Sequence, residues 1–336
     1  MESTLKVLVP MAGLGTRLRP HTWSKPKPLI NVAGKAILGH VLDMFAEVPQ
    51  PPENVEYIFI VGYLGEQIKR YIQENYPHLK AHYVVQEEMR GQSHAVYLAK
   101  EHLQGPMVLV FVDTLIETDL GFLKDEPNDG VACVKAVDDP RRFGVTVLNP
   151  QGLVERLIEK PKGIENNLAM VGFYYFKKSE DLLTAIEEQI RRNIQLKNEF
   201  FLADAINIML ERGLKMRTHP VEVWLDAGTL EAVLETNRFL LDHNRDNSQE
   251  ASRNGVLINP PVYIHPSAKV VNSVIGPYVS LGADCYVESS VLRDTIISEG
   301  AHVVDMILEK SLIGQKSCIT SQPRNINAGD QTEVTL

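Results

Sequence analysis

The feature that most constrains this chain is a change of grammar near residue 255. Beyond it, apolar residues recur at Ile264, Val270, Ile275, Leu281, Val287, Leu292, Ile297, Val303, Leu308, Ile313 and Ile319, in steps of five or six. Gly276, Gly282 and Gly314 each follow one aliphatic residue and punctuate the run. A helix needs a step near 3.6 and a half-buried strand needs 2, so neither accounts for it. A short fixed step is the mark of a solenoid in which each coil supplies inward residues face by face. A string of small antiparallel hairpins is the alternative, but hairpin turn pairs such as Asn-Gly do not recur inside the run. Residues 256–336 are therefore expected to form a hexapeptide-repeat parallel β-helix of about three coils, with a C-terminal tail.

Upstream the pattern is different. "LKVLVPMAG" reads as a buried strand entering a glycine turn, and "KAILGHVLDMFAEV" carries apolar residues at helical spacing. "VEYIFIVGY", "AHYVVQ" and "PMVLVFVD" read as further strands, with the helical "LGEQIKRYIQENY" and "GQSHAVYLAKEHL" between them. Strand and helix in alternation predict a parallel sheet covered on both faces. After Asp113 the strand-like pieces "GVACVKAVD", "GVTVLN", "LVERLIEKP" and "MVGFYYF" have few helices between them, which predicts a mixed or antiparallel extension. Residues 1–241 are expected to be one α/β domain, with a Rossmann-like, mixed but mainly parallel sheet. The polar stretch 242–255 is expected to be a linker.

Composition excludes several classes. The formal charge is −9 and no basic stripe runs along the chain, which argues against general nucleic-acid binding. Cys133, Cys285 and Cys318 are too few and too scattered for a disulfide framework or a zinc site, so a reduced, cytoplasmic setting is expected. The N-terminal residues lack the layout of a signal peptide. "YIFIVGYLG" and "MVLVFV", the strongest apolar runs, fall well short of the roughly 20 residues of a membrane span.

Against this acidic background, Ser3 to Leu42 holds six Lys or Arg and no Asp or Glu. The stretch "AGLGTRLRPHTWSKPKPLI" places Gly13 and Gly15 just after a strand, where their N–H groups can converge on an anion. Arg17 adds a planar fork of donors for phosphate oxygens, and Lys25 and Lys27 add point charges. Pro20, Pro26 and Pro28 stiffen the loop. Without more, this could be an ordinary strand–turn–helix connection with solvated charges. The P-loop pattern is absent, and Leu18 stands at the third glycine of the dinucleotide fingerprint.

The whole motif, "AGLGTRLRP" followed by "KPKPLI", resembles the signature of the sugar-1-phosphate nucleotidyltransferase (NDP-sugar pyrophosphorylase) family. The resemblance covers roughly residues 4–240. It is closest to the long-form glucose-1-phosphate thymidylyl- and uridylyltransferases, which carry a C-terminal left-handed β-helix. "VVQEEMRGQSHAV" is similar to the family's base-reading segment and "FVDT" to its metal-binding segment. "RRFGV", "EKP" and "VGFYYF" match its sugar-site segments, "LADAIN" resembles a helix start, and "WLDAGT" supplies a second metal aspartate.

The resemblance implies a reaction in which a sugar 1-phosphate attacks the α-phosphorus of dTTP or UTP in line, releasing pyrophosphate. Ala12, Gly13, Gly15, Thr16, Gln86 and Gly91 are then expected to bind nucleotide, and Gly144, Glu159, Val171 and Gly172 the sugar. Arg17, Lys25 and Lys160 are expected to be catalytic: Arg17 at the departing pyrophosphate, Lys25 at the α-phosphate, Lys160 at the sugar phosphate. Asp113 and Asp226 are expected to hold Mg²⁺. The sugar is expected to be glucose on family frequency alone. A homo-oligomer is expected, with no nucleic-acid or membrane partner.

Plainer readings stand beside these. A strand-end aspartate alone is more often a turn former, and Glu159 with Lys160 could be a surface pair. Trp224 reads as structural, His94 as a packing or capping residue and Asp204 as a helix cap. Val112 stands where the family has glycine before the metal aspartate, Gln92 and Ser93 alter the base wall, and Ala203 and Lys197 depart near the sugar. Two rivals remain open: a catalytically silent paralogue that binds NDP-sugar, and a bifunctional enzyme whose tail is an acyltransferase. Three coils are short for the second.

Overall fold

Four apolar runs in the first third of the chain have the length and β-branched content of buried strands. They become the parallel half of one sheet. In order across the sheet they are Met107–Val110, Leu5–Pro10, Val55–Val61 and Ala81–Val85, all parallel. Leu8 sits between Ile58 and Leu109, and all three are fully buried. The helices Gly65–Asn75 and Gln92–Leu98 follow the second and third of these strands in the chain. The computed structural model describes residues 4–46, 48–251 and 255–322.

The expected mixed extension is built on one long strand, Leu168–Phe176. It runs antiparallel to Met107–Val110, Gly130–Ala136 and Gly144–Leu148. Its register slips between Met170 and Tyr174, around Gly172. Val154–Glu159 closes the antiparallel edge, and Met216–Pro220 adds a parallel strand beside Gly130–Ala136. The helices Ser179–Arg191 and Leu202–Glu211 put Leu182, Ile186, Ile206 and Met209 into a core shared with Leu8, Leu109 and Phe176. Burying each such side chain contributes about 1.5–3 kcal/mol, which sets this part of the sheet as a stiff platform. A separate two-stranded ribbon pairs Thr114–Glu117 with Val223–Asp226, antiparallel.

The described chain divides into two units. One comprises Met1–Ile30 and Ala36–Ala232, the other Asn31–Lys35 and Val233–Leu336. In the second unit the five-or-six step resolves into three vertical columns. Ile264, Leu281, Ile297 and Ile313 stack in one, Val270, Val287, Val303 and Ile319 in the next, and Ile275, Leu292 and Leu308 in the third. Every one of these pairings is parallel, so three steps close one coil and the strands are those of a β-helix, not of hairpins. Ile264, Leu281, Ile297, Val270, Val287, Val303, Ile275 and Leu292 are in its buried interior, with Leu308 and Ile313 partly buried against it.

Part of the stretch 242–255 is bonded to the first coil. Asp246 Oδ1 accepts the Val262 N–H at 2.9 Å, and Asn247 Oδ1 accepts the Ile264 N–H at 2.8 Å. Asn247 also donates to the Ile264 carbonyl at 2.9 Å. The polar composition that reads as a spacer thus includes side chains that pair with the strand backbone of the first coil. Residues 252–254 of the expected linker, and 323–336 of the expected tail, lie outside the described residues.

Candidate active site

Ligands of open α/β sheets bind beyond the carboxyl ends of the parallel strands. The Leu5–Pro10 strand delivers the glycine loop there, with the Met11 N–H still bonded to the Ile60 carbonyl at 2.8 Å. Gly15 takes a left-handed conformation, φ +61°, and the chain then winds into a short 3-10 turn, Thr16–Leu18. Thr22 Oγ1 donates to the Gly15 carbonyl at 2.8 Å and ties the loop back on itself. This loop is one wall of a cavity of about 540 Å³. Ala12, Gly13, Gly15, Thr16, Arg17, Gln86, Gly91 and Asp113 all line it, so the sequence-predicted nucleotide residues come together.

A second cavity, of about 200 Å³, is lined by Gly144, Glu159, Val171, Gly172 and Asp226. These are the expected sugar residues and the second aspartate. Arg17 and Asp113, with Gln92 and Phe111, line both cavities. The two spaces therefore meet at one guanidinium and one carboxylate.

Two expected residues are not in either lining. Lys160 follows the Val154–Glu159 strand with its side chain exposed, its Nζ 4.0 Å from Glu159 and 5.8 Å from the Phe201 ring centre. Lys25 is half-buried and also outside both cavities. The lysine that lines the larger cavity, beside Arg17, is Lys27. Pro26 is extended, φ −67° and ψ 145°, and the 3-10 turn Lys27–Leu29 starts directly after it. That kink presents Lys27 to the strand ends.

The ribbon sets the two aspartates. Asp226 pairs in register with Thr114, the neighbour of Asp113, and the Ala227 N–H donates to the Asp113 carbonyl at 3.1 Å. Lys27 Nζ lies 2.5 Å from Asp113 Oδ2. Burial by itself would raise the Asp113 pKa, but the Lys27 charge and hydrogen bond, helped by Arg17, hold it below the ordinary carboxylate value. Asp226 is shifted the other way. Burial and the charge of Asp113 raise it, against the pull of Lys27 and Arg17. The Gly228 N–H donates to Asp226 Oδ1 at 2.8 Å, and a Cβ built on Gly228 would lie 2.9 Å from Arg17 Nη2.

Two carboxylates, one of them raised by the charge of the other and both lining one cavity, are a donor set for a hard cation. Mg²⁺ is commonly held by one or two carboxylates with the remaining ligands from water and phosphate. The residues present fit that pattern. No cluster of three or more His, Cys, Asp or Glu that could hold a metal occurs among the described residues.

At the far end of the larger cavity Gln86 is buried, its N–H bonded to the Val61 carbonyl at 2.8 Å. Its Nε2 donates to the Gly91 carbonyl at 3.3 Å and lies 3.4 Å from His94 Nδ1. Gly91 has φ +99°, and a Cβ there would meet the Phe200 nitrogen at 2.5 Å, so only glycine fits this approach. Around the smaller cavity, burial raises the Glu159 pKa, Lys160 opposes it and Asp204 adds to it.

The sequence gives no site role to Arg142, Trp224 or Gly228, gives Lys27 only a point charge in the loop and Gln92 only a change in the base wall, although all line one or both cavities. Trp224 stands edge-on to Phe143, ring centres 4.8 Å apart, and the two make an aromatic wall of the smaller space. Gln92 Oε1 accepts the Leu202 N–H at 3.2 Å. The "KPKP" run signals two lysines in equivalent settings, and only the turn decides between them.

Comparison with known proteins follows the same part of the chain. Residues 6–243 match the family model described as nucleotidyl transferase. The chain is 28% identical to a glucose-1-phosphate thymidylyltransferase of Streptomyces griseus, over 95% of this chain and 94% of that protein. It is 32% identical to the bifunctional protein GlmU of Methanocaldococcus jannaschii, over 79% of this chain and 61% of that longer protein. Among solved structures, a UDP-glucose pyrophosphorylase complexed with UDP-glucose is similar in fold, with TM-score 0.61 and 20% identity over 70% of this chain and 98% of that one. No described helix is long and apolar enough to cross a membrane.

Proposed function

Because this chain belongs to the nucleotidyl transferase family, we propose that it joins a sugar 1-phosphate to dTTP or UTP, giving an NDP-sugar and pyrophosphate. The observation that carries the reading is the meeting of two cavities at Arg17 and Asp113. The larger has room for a nucleoside triphosphate, and the smaller holds polar groups suited to a sugar. Their shared wall is where a bond between the two substrates would form.

The chemistry asks for position and charge more than for a nucleophile on the protein. An oxygen of the sugar 1-phosphate attacks the α-phosphorus, and the bond to the β-phosphate oxygen breaks as pyrophosphate leaves. The glycine loop and Arg17 face the triphosphate, and Arg17 steadies the charge gathering on the departing oxygens. Lys27, in place of Lys25, is the cation beside the α-phosphate. Glu159 accepts hydroxyl hydrogen bonds from the sugar, with Gly144, Val171 and Gly172 shaping the space around it. Lys160 keeps its proposed part at the sugar phosphate, which requires its exposed side chain to swing inward. Asp113 and Asp226 would hold Mg²⁺, which when bound neutralises phosphate charge.

Glucose 1-phosphate is the proposed sugar substrate, in keeping with the name of the Streptomyces relative. A cytoplasmic homo-oligomer is part of the same reading. The test is pyrophosphate release with Mg²⁺, crossing dTTP and UTP against glucose-, N-acetylglucosamine- and mannose-1-phosphate. Turnover with one pair well above the rest supports the reading, and no turnover with any pair overturns it.

A further inference from the structure

We propose that His94 is a positioning residue that locks the Gln86 side-chain amide with its carbonyl toward the nucleotide, and so makes the site demand a hydrogen-bond donor from the base. This rests on the nucleotidyltransferase reading and refines how the base is read.

A primary amide has two N–H donors and one carbonyl oxygen. Unsupported, it can turn over at small cost and offer either end to a ligand. Here both donors are engaged. Gln86 Nε2 is 3.3 Å from the Gly91 carbonyl, which can only accept, and 3.4 Å from His94 Nδ1. Turning the amide over would set its oxygen against the Gly91 carbonyl and force the His94 proton onto Nδ1 to keep the second contact. Gln86 is also buried, so leaving an amide end unpaired there is unfavourable.

The arrangement requires His94 to be neutral with its proton on Nε2, leaving Nδ1 to accept. Its surroundings favour that form, since burial and the Arg90 charge lower its pKa, with Glu88 opposing. Gln86 Oε1 is then the group left to meet the base, in a cavity whose wall it forms. Uracil and thymine carry a ring imide N–H that suits it. His94 does not line the cavity, so its influence passes through Gln86.

The experiment compares the full-length chain with His94→Leu and His94→Asn. Asparagine can place its Oδ1 near the position of the histidine Nδ1 and keep an acceptor there, whereas leucine fills the space without one. His94→Leu is expected to raise KM for UTP or dTTP roughly tenfold with kcat within about twofold, and His94→Asn to recover most of it. Using 3-methyluridine triphosphate, which lacks the imide donor, the penalty relative to UTP should be large in the parent and smaller in His94→Leu. Calorimetric binding of UTP to all three chains gives the same comparison independently of turnover. An unchanged nucleotide affinity in a folded His94→Leu chain, or an Asn variant as impaired as Leu, overturns the role of His94. Parent chain that binds UTP but turns over no sugar phosphate overturns the enzyme reading and leaves this comparison decisive through binding.

Discussion

The Lys27 ammonium lies 2.5 Å from Oδ2 of Asp113, across a gap of more than eighty residues in the chain. The pair ties the loop proposed to face the phosphates to the strand end proposed to hold the metal. Each partner answers the other's charge before any ligand arrives. The lysine side chain is 12% exposed, so it is held in place with little freedom left to lose on binding.

Lys27→Ala should therefore lower kcat by about a hundredfold or more, as loss of one preorganised charge at a phosphoryl centre does. Lys25→Ala should change kcat by less than about threefold, because that side chain lines neither cavity. Pyrophosphate release under saturating substrates measures both. Equal losses in the two variants would return the role to Lys25.

How far the sequence went at this loop is instructive. The glycine turn after a strand marks Gly13, Gly15 and Arg17 in the sequence itself, whereas the two distant aspartates stand out only through the resemblance of "FVDT" and "WLDAGT" to family segments. The choice between Lys25 and Lys27 is not legible, since a proline-rich loop has no period to show which side chain turns inward. Ser3 to Leu42 announces a positive field without saying which cation does what. Trp224 reads as structural for a related reason: an aromatic side chain has many structural uses, and only the ribbon brings it to a cavity wall. In the coil unit the five-or-six step translated directly into three columns, buried except at their last members. There each residue's environment repeats from coil to coil, so one pattern describes all of them.

Gly228→Ala tests how closely Arg17 and Asp226 are matched. The added Cβ would lie 2.8 Å from Asp226 Oδ1 and 2.9 Å from Arg17 Nη2, closer than ordinary contact. Both are ends of side chains that can shift, so thermal stability should fall by no more than about 1 kcal/mol. Activity should fall about tenfold or more, because the shift moves groups at the meeting point of the two cavities. Retained kcat with normal folding would show that neither group needs its present position.

Removing divalent cation should abolish turnover, and Mg²⁺ should restore it. Asp226→Asn keeps the shape and the Gly228 hydrogen bond while removing a charge. It should raise the Mg²⁺ concentration needed for half-maximal rate by about tenfold or more. Titrating Mg²⁺ against rate in parent and variant reads this directly, and an unchanged midpoint would remove Asp226 from the metal set.

Glu126 offers a pH test away from the site. Its side chain is 2% exposed and bonded to Arg217 at 2.6 Å. Burial raises its pKa, yet the Arg217 and Asn128 hydrogen bonds outweigh burial and leave it lowered from 4.5. A carboxylate lowered in the folded state stabilises above its unfolded pKa and loses that contribution as pH falls through the folded value. Urea midpoints should thus fall more steeply below about pH 4.5 in the parent than in Glu126→Gln. Parallel pH profiles would mean that the pair contributes nothing to acid sensitivity.

The coil unit carries a sharper structural test in Asn237, which has no exposure to solvent. Its Oδ1 accepts from the Ala33 N–H at 2.8 Å and the Ser280 hydroxyl at 2.7 Å, and its Nδ2 donates to the Tyr278 carbonyl at 3.2 Å. One amide thereby serves three groups, two of them backbone. Asn237→Ala leaves those groups without their partner and opens a small void. The expected loss is about 2–4 kcal/mol. Asn237→Asp keeps the acceptor and loses the donor to Tyr278, placing a buried charge beside a carbonyl, so it should be no less damaging at neutral pH. Thermal unfolding of both variants decides the matter. If Asn237→Ala unfolds within 1 °C of the parent, the three bonds are not what holds this junction of Asn31–Lys35, the helix and the first coils together.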